Sequence, residues 1–192
     1  MLVSASAIGF YGDHREEPVD EDSGTGEGFL AEVCRAWEDA TKPAKDAGIR
    51  TVNVRIGVVL SKDGGALAKM LTPFKMCAGG IVGNGQQIWS WVAIDDVVGA
   101  FVHAIENENV HGPLNATSPN SSSNKEFTQA LGKVLGRPTI VPLPAFAAKL
   151  VLGEMAEALL LSSCDVKPSK LQSTGYEFRY EDLEATLRAL LK

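Results

Sequence analysis

Residues 50–60 read R-T-V-N-V-R-I-G-V-V-L, and this run is the strongest indicator of the fold class. Apolar and β-branched residues follow one another almost without interruption, which predicts a strand buried on both faces. Before it, apolar residues at positions 29, 33, 36, 37 and 40 have helical spacing, and Pro43 and Gly48 end that helix. A helix followed by a doubly buried strand is typical of a parallel α/β sheet with helices on both faces.

The alternation of strands and helices continues on both sides of this run. Residues 12–28 are rich in Asp, Glu and Gly, which predicts a surface loop. The other predicted elements are a strand over 1–5, a helix over 67–76, a strand over 88–92, a helix capped by Asp95, a strand over 113–116, a helix opened by the Ser123–Glu126 capping box, and a closing helix with leucines at 183, 187, 190 and 191. Apolar helices are also predicted near 144–163. We therefore divide the chain into a sheet domain, 1–137, and a small, mostly helical lobe, 138–192.

Composition limits the classes of partner. With 45% hydrophobic residues, the 192-residue chain can bury a sizeable core. Its net charge of −6, without any Lys/Arg cluster, argues against a nucleic-acid partner. The longest apolar stretch, 145–161, is interrupted by charges, and residues 1–4 do not resemble a signal peptide. We expect no membrane partner and a cytoplasmic location.

Cysteine and histidine spacing predicts no metal site. The three cysteines are far apart and form no C-x-x-C motif, so we expect reduced thiols. The three histidines have no ligand spacing either, and His103 lies in an apolar helical pattern that is typical of a structural histidine.

The segment S-A-S-A-I-G-F-Y-G, residues 4–12, resembles the serine strand of extended short-chain dehydrogenases/reductases. Segments 55–60, 91–97 and 114–117 follow in that family's order. Segments 29–38, 63–67, 115–120 and 175–180 are similar to atypical members called NAD-dependent epimerase/dehydratase-like proteins, which carry a conserved C-terminal extension. The resemblance covers nearly the whole chain. It implies a partial Rossmann-type parallel sheet, with the later strands only, and a small helical C-terminal lobe.

Two features of the family pattern are absent from this sequence. The G-x-x-G-x-x-G turn that holds the pyrophosphate does not occur, and the chain begins where the family's fifth strand would begin, so we expect a truncated Rossmann domain. The Tyr-x-x-x-Lys pair is also missing. Phe29 or Leu30 stands where the tyrosine belongs, and Val33 or Cys34 where the lysine belongs. Of these, only Cys34 could do acid–base work, and only with a perturbed pKa.

The resemblance implies a set of site residues. It implies catalytic roles for Ser6 and Tyr11, and its substrate side would include Tyr11, Met76 and Trp91. Cofactor contacts are implied for Ser4, Ser6, Arg55, Gly57 and Val58. For Ser6 the alternative is a hydroxyl that satisfies backbone groups at a strand end, and for Trp91 it is core packing. Tyr11-x-x-x-Arg15 is the nearest substitute for the missing pair, although a chance occurrence is favoured.

The implied cofactor is NADP or NAD, with NADP preferred, and no metal. The leading hypothesis is an NAD(P)-dependent oxidoreductase or epimerase-like enzyme that acts on an unknown small carbonyl or hydroxyl substrate. The alternative is a non-catalytic dinucleotide-binding or interaction protein, which the missing Tyr/Lys pair favours. The oligomeric state is left open. An unpaired strand at residues 1–5 would expose an apolar edge, so we expect the isolated chain to be marginally stable or to self-associate.

Overall fold

The structure is a computed structural model that describes residues 1–141 and 162–192. In this part of the chain the strands are β1 (Leu2–Ala7), β2 (His14–Val19), β3 (Thr51–Ile56), β4 (Val58–Leu60), β5 (Ile88–Trp89), β6 (Trp91–Ala93), β7 (Gly112–Ala116), β8 (Ser122–Ser123) and β9 (Cys164–Val166). The helices are α1 (Phe29–Asp39), α2 (Lys42–Asp46), α3 (Gly65–Lys75), α4 (Ile94–Glu106), α5 (Asn124–Leu135), α6 (Ser169–Ser173) and α7 (Leu183–Leu191). A 3₁₀ turn, Ile8–Tyr11, follows β1.

A parallel sheet of order β1–β3–β7 forms the centre of the molecule, which confirms the predicted α/β class. Its register places Ser6 beside Arg55 and Arg55 beside Asn115. Since side chains at paired positions point to the same face, these three residues form one row across the sheet. We call Ser6, Arg55 and Asn115 the polar row.

The two faces of β3 are chemically different. Val52 and Val54 belong to an apolar cluster with Ala100 and Ala104 of α4. Asn53 and the alternate residues on the other face contact α1 and the residues just after it. Both faces are therefore covered by helices, as the sequence predicts, but only the α4 face is apolar.

The 50–60 run is not a single strand, and in this respect the prediction is wrong. It breaks at Gly57, where β3 ends and β4 turns away to pair with β6. The Val58 N–H donates to the Ser90 carbonyl at 2.8 Å. A Cβ on residue 57 would collide with that same carbonyl, so glycine is required where the two backbones cross.

The predicted loop over 12–28 is also wrong in part, because it contains β2. This strand pairs in parallel with β9, from His14 beside Cys164 to Val19 beside Val166. The strand β9 belongs to residues 162–192, which we call the C-terminal segment. The charged sequence of β2 does not resemble a buried strand, and its partner lies about 150 residues away in the chain. Local patterning therefore carried no signal for it.

The C-terminal segment completes a second core. Leu183 and Leu187 of α7 pack with Phe127 and Leu131 of α5, as their spacing predicts. Both halves of the Ser123–Glu126 capping box are present at the start of α5. Asp95, by contrast, does not cap α4, since the N-cap is Ala93 and Asp95 lies in the first turn. The helices predicted near 144–163 fall almost entirely outside the described residues, so the division at 137/138 stays a prediction.

Candidate functional site

The carboxylate of Glu38 lies at the centre of a buried polar network on the α1 face of the sheet. It accepts hydrogen bonds from Arg55 Nε and Nη2, both at 2.8 Å, and from Ser6 Oγ at 2.8 Å. Arg55 is only 4% exposed and Glu38 is also largely shielded. The last turn of α1 lies over the polar row, and Glu38 in that turn forms a bidentate ion pair with Arg55 of β3.

Tyr11 continues this network toward β7. Arg55 Nη1 donates to the Tyr11 hydroxyl at 2.8 Å, and that hydroxyl donates to Asn115 Oδ1 at 2.7 Å. The Arg55 guanidinium also lies 3.5 Å from the centre of the Phe10 ring, which is a cation–π contact. The 3₁₀ turn after β1 thus places both aromatic residues against the buried arginine.

Every hydroxyl proton of this network has an acceptor within the network. Burial raises the pKa of Tyr11 to about 12, although the neighbouring charge of Arg55 opposes this shift. Tyr11 is fully buried. At neutral pH its hydroxyl is therefore protonated and committed to Asn115, and the Ser6 proton is committed to Glu38. Neither group is placed to donate that proton to a substrate in this arrangement.

Glu21 joins the network to the C-terminal segment. Its Oε1 accepts from the backbone N–H of Asn115 at 3.0 Å and from that of Lys170 at 3.2 Å. Burial raises the pKa of this carboxyl, and the two backbone hydrogen bonds oppose the shift. Sequence reasoning missed Glu21 because it lies in an acidic stretch that is typical of a surface loop.

The positions of the missing Tyr/Lys pair are occupied by groups without acid–base function. Cys34 is buried, and its burial raises the pKa of the thiol, so it is not a thiolate at neutral pH. Leu30 and Cys34 both lie close to Gly9 in the 3₁₀ turn. Their side chains occupy the space beside the end of β1.

The remaining predicted site residues are spread over different environments. Ser4 is half-buried, and its Oγ donates to the neighbouring Ala5 carbonyl at 3.4 Å. Trp91 is fully buried in the second core, where its Nε1 donates to Ser122 Oγ at 3.2 Å. Met76 is 74% exposed at the end of α3. Gly57 and Val58 lie at the break between β3 and β4. The structure thus brings Ser6, Tyr11 and Arg55 together, and the roles of all these residues stay predictions.

Two further polar residues attach the C-terminal segment to the sheet domain. Ser90 Oγ donates to the Cys164 carbonyl and accepts from the Val166 N–H, both at 2.8 Å. Asp96, 2% exposed, accepts from the Tyr176 hydroxyl at 3.0 Å and from the backbone N–H groups of Arg179 and Tyr180 at 2.8 and 3.0 Å. The sequence predicts a helix cap for the neighbouring Asp95, whereas Asp96 binds the C-terminal segment.

Over residues 1–141 and 162–192, no group of three or more His, Cys, Asp or Glu side chains could hold a metal ion. In the same ranges, no helix has both the length and the apolar character needed to cross a membrane.

Comparison with known proteins agrees with this architecture. Residues 1–116 match the model of the NAD dependent epimerase/dehydratase family, and residues 143–190 match a domain of unknown function, DUF1731. The chain is 45% identical over 193 residues to "Epimerase family protein SDR39U1 homolog, chloroplastic" of Arabidopsis thaliana, covering 100% of this chain and 55% of the relative. It is 40% identical over 186 residues to "Epimerase family protein ML0860" of Mycobacterium leprae, with 97% and 61% covered. The chain thus spans between about half and two thirds of these relatives.

Solved structures show the same relationship. The human epimerase family protein SDR39U1 (isoform2) with NADPH superposes with a TM-score of 0.92 at 37% identity, covering 98% of this chain and 64% of that one. UDP-glucose 4-epimerase of Thermus thermophilus, in complex with NAD, has a TM-score of 0.73 at 17% identity, with 98% and 63% covered, and so shares the fold. From the family match and these relatives, the chain belongs to the NAD dependent epimerase/dehydratase family.

Proposed function

We propose that this chain forms the nicotinamide-facing and substrate-facing part of an NADP(H)-binding protein of the family. The observation that carries the proposal is the parallel β1–β3–β7 sheet, because ligands of open α/β sheets bind outside the carboxyl ends of the strands. Ser6 and the 3₁₀ turn lie at that edge, beside the break between β3 and β4 at Gly57. The human relative solved with NADPH supports the choice of NADP over NAD.

In this proposal Ser4, Gly57 and Val58 line the cofactor side and Met76 lines the substrate side. Tyr11 and Trp91 are fully buried, so they would shape the site from behind. Ser6, Tyr11 and Arg55 would act as positioning residues, since their mutual hydrogen bonds hold the ends of β1 and β3 in fixed relation. The bound cofactor would supply the hydride chemistry.

The first candidate activity is that of an oxidoreductase or epimerase-like enzyme on a small carbonyl or hydroxyl substrate. The second candidate is a non-catalytic dinucleotide-binding or interaction protein. Two observations favour the second candidate. The hydroxyl protons of Ser6 and Tyr11 are committed within the network. The Tyr/Lys positions are occupied by Phe29 or Leu30 and by Val33 or Cys34. Cytoplasmic location is also kept as a prediction, while the Arabidopsis relative is named as chloroplastic.

The cofactor proposal is tested with a chimera. The portion of the Arabidopsis relative that precedes the matched region is fused ahead of Met1. NADPH and NADH are then titrated, by cofactor fluorescence, into the chimera and into the 192-residue chain. We expect the chimera to bind NADPH in preference to NADH and the chain alone to bind much more weakly, because it contains no glycine-rich pyrophosphate turn. Failure of the chimera to bind either cofactor, or equally tight binding by the chain alone, contradicts the proposal.

The two candidate activities are separated in the same chimera by NADPH oxidation with a panel of aldehydes, ketones and sugar nucleotides. Turnover that Ser6→Ala abolishes, and that the matched surface change Ser173→Ala leaves intact, supports the enzyme. NADPH binding without turnover of any panel member supports the non-catalytic candidate. Normal turnover in the Ser6→Ala chimera rules out the proposed role of Ser6.

A further inference from the structure

A groove of about 600 Å³ lies between helices α1–α2 and the amino ends of β3 and β7. It begins beside Phe10 and Thr25 and extends to Gly48 and Ile49, toward the end of the sheet opposite to the proposed cofactor edge. Its volume is within the range of about 300–1,000 Å³ that is typical of small-molecule sites.

The groove is cationic in a chain whose net charge is −6. Its lining contains four basic and two acidic side chains, namely Arg35, Lys42, Lys45, Arg50, Glu38 and Asp39. Both carboxylates are already neutralised, since Glu38 pairs with Arg55 and Asp39 pairs with Lys42 at 2.9 Å. A positive field therefore remains, and it favours an anion.

Two of the cations are free to meet a ligand. Arg50 is committed, because its guanidinium donates to the carbonyls of Ala104 and Val110 at 2.8 and 2.9 Å. Arg35 and Lys45 are exposed, and neither has an ion-pair partner among the residues that the structure describes. They stand on α1 and α2, and both line the groove.

The remaining lining combines apolar residues with polar ones. Phe10, Ile49 and Pro113 contribute apolar surface. Asn53 Nδ2 donates to Thr41 Oγ1 at 3.2 Å, whereas its Oδ1 is buried without a hydrogen-bond partner. Exchanging the two amide atoms would still leave one of them unpaired. Free cations beside apolar side chains are the lining expected of a site for a small organic anion.

We propose that this groove binds a small organic anion with an apolar body, of the aromatic carboxylate class, independently of the dinucleotide. Arg35 and Lys45 hold the carboxylate, and Phe10, Ile49 and Pro113 contact the apolar body. The groove is built entirely from this chain, so the test uses the 192-residue protein and does not depend on cofactor binding.

The test is calorimetric titration with 2-naphthoate and with its neutral analogue 2-naphthamide. We expect 2-naphthoate to bind and the amide to bind at least about tenfold more weakly, since the amide cannot form the charge-assisted hydrogen bonds that the carboxylate forms. The double variant Arg35→Glu/Lys45→Glu should weaken naphthoate binding by at least about tenfold. The matched control is Lys62→Glu/Lys69→Glu, which makes the same charge change at positions outside the groove. It should leave the binding unchanged.

Three results overturn the proposal: no heat of binding for 2-naphthoate, equal binding of the acid and the amide, or equal losses in the two double variants. The last result would mean that net charge alone attracts the ligand. Arg35 and Lys45 are both exposed, and circular dichroism confirms that each variant is folded. If Arg35→Glu/Lys45→Glu does not fold, the neutral pair Arg35→Gln/Lys45→Gln carries the same expectation with a smaller loss.

Discussion

At the scale of single residues, the buried pair of Arg55 and Glu38 governs the α1 face of the sheet. Its two charges are shielded from water, and each partner also holds a hydroxyl, Tyr11 for the arginine and Ser6 for the carboxylate. A buried pair of this kind adds little net stability over an apolar pair, but it is damaging to break, because the remaining charge is left uncompensated.

We therefore expect Arg55→Met to lower the free energy of unfolding by about 3–5 kcal/mol. Urea denaturation followed by circular dichroism measures the change. The control is Lys42→Met, which breaks the exposed Lys42–Asp39 pair just beyond α1 and should have no measurable effect. Equal losses in the two variants would show that the Arg55–Glu38 network has no special structural role.

Glu21 yields a prediction about both hydrogen bonding and pH. Glu21→Ala leaves the N–H groups of Asn115 and Lys170 without their acceptor and should lower stability by about 1–3 kcal/mol. Glu21→Gln keeps an acceptor oxygen and should lose much less. Urea midpoints of both variants provide the comparison, and similar losses would contradict it.

The pH dependence follows from the raised pKa of Glu21. The folded protein holds this proton more tightly than the unfolded chain does, so the associated stability is present below the unfolded pKa and is lost as pH rises through the folded pKa. Because Gln does not titrate, the stability of Glu21→Gln relative to the wild type should increase as pH rises above the ordinary glutamate pKa and through the raised folded-state pKa. A difference that is constant or falls with pH would contradict a raised pKa for the buried Glu21 carboxyl.

At the scale of elements, Asp96 joins the first turn of α4 to the C-terminal segment. Gly99, one turn later, allows the Tyr176 hydroxyl to approach the helix backbone, where a Cβ would collide with it. His103 Nε2 lies 2.9 Å from Thr174 Oγ1 on the same side of the helix. One face of α4 therefore contacts the sheet, and an adjacent face binds residues 174–180.

We expect Asp96→Ala to release residues 176–180 from α4, because two backbone N–H groups lose their carboxylate acceptor. Hydrogen–deuterium exchange should show at least about tenfold faster exchange at residues 179 and 180. Asp95→Ala is the control, since Asp95 forms a 3.6 Å contact with the exposed Arg179 side chain and, within the described part of the chain, no hydrogen bond to residues 176–180. Unchanged exchange in Asp96→Ala would show that other contacts hold the segment.

At the scale of the whole molecule, β1 is an edge strand of the central sheet among the described residues. Among the described residues β1 pairs only with β3. Large apolar side chains are also exposed on the helices that cover the two faces of the sheet, among them Phe29 and Trp37 on α1 and Val98 and Val102 on α4. An unpaired strand edge with apolar surface around it is a template for pairing between chains.

The isolated chain should therefore self-associate as its concentration rises, as sedimentation velocity would show. Ala5→Lys places a charge at an exposed position of the β1 edge strand and should shift the distribution toward monomer. Ala66→Lys, at an exposed position of α3, makes the same change elsewhere and should not. A chain that stays monomeric at all concentrations and melts in one sharp transition would contradict this prediction.

The parallel α/β class, the positions of α1, α5 and α7, and the resemblance to the family all follow from the amino-acid sequence alone. These features depend on periodicity, caps and short motifs, all of which are local. The sequence also contained one unused signal: Asn53 and Arg55 alternate with Val52 and Val54, which marks one face of β3 as polar.

The break at Gly57, the pairing of β2 with β9, and the joining of Ser6, Glu38, Arg55, Tyr11 and Asn115 into one network depend on the tertiary fold. The partners in these contacts are separated by 17 to 150 residues, and strand register and the crossing of backbones bring them together. Taken in sequence, Ser6 and Tyr11 resemble part of a serine strand, and the segment that contains β2 resembles an acidic loop. On the folded α1 face the five network side chains bind one another, because a buried donor or acceptor must find its partner within the protein.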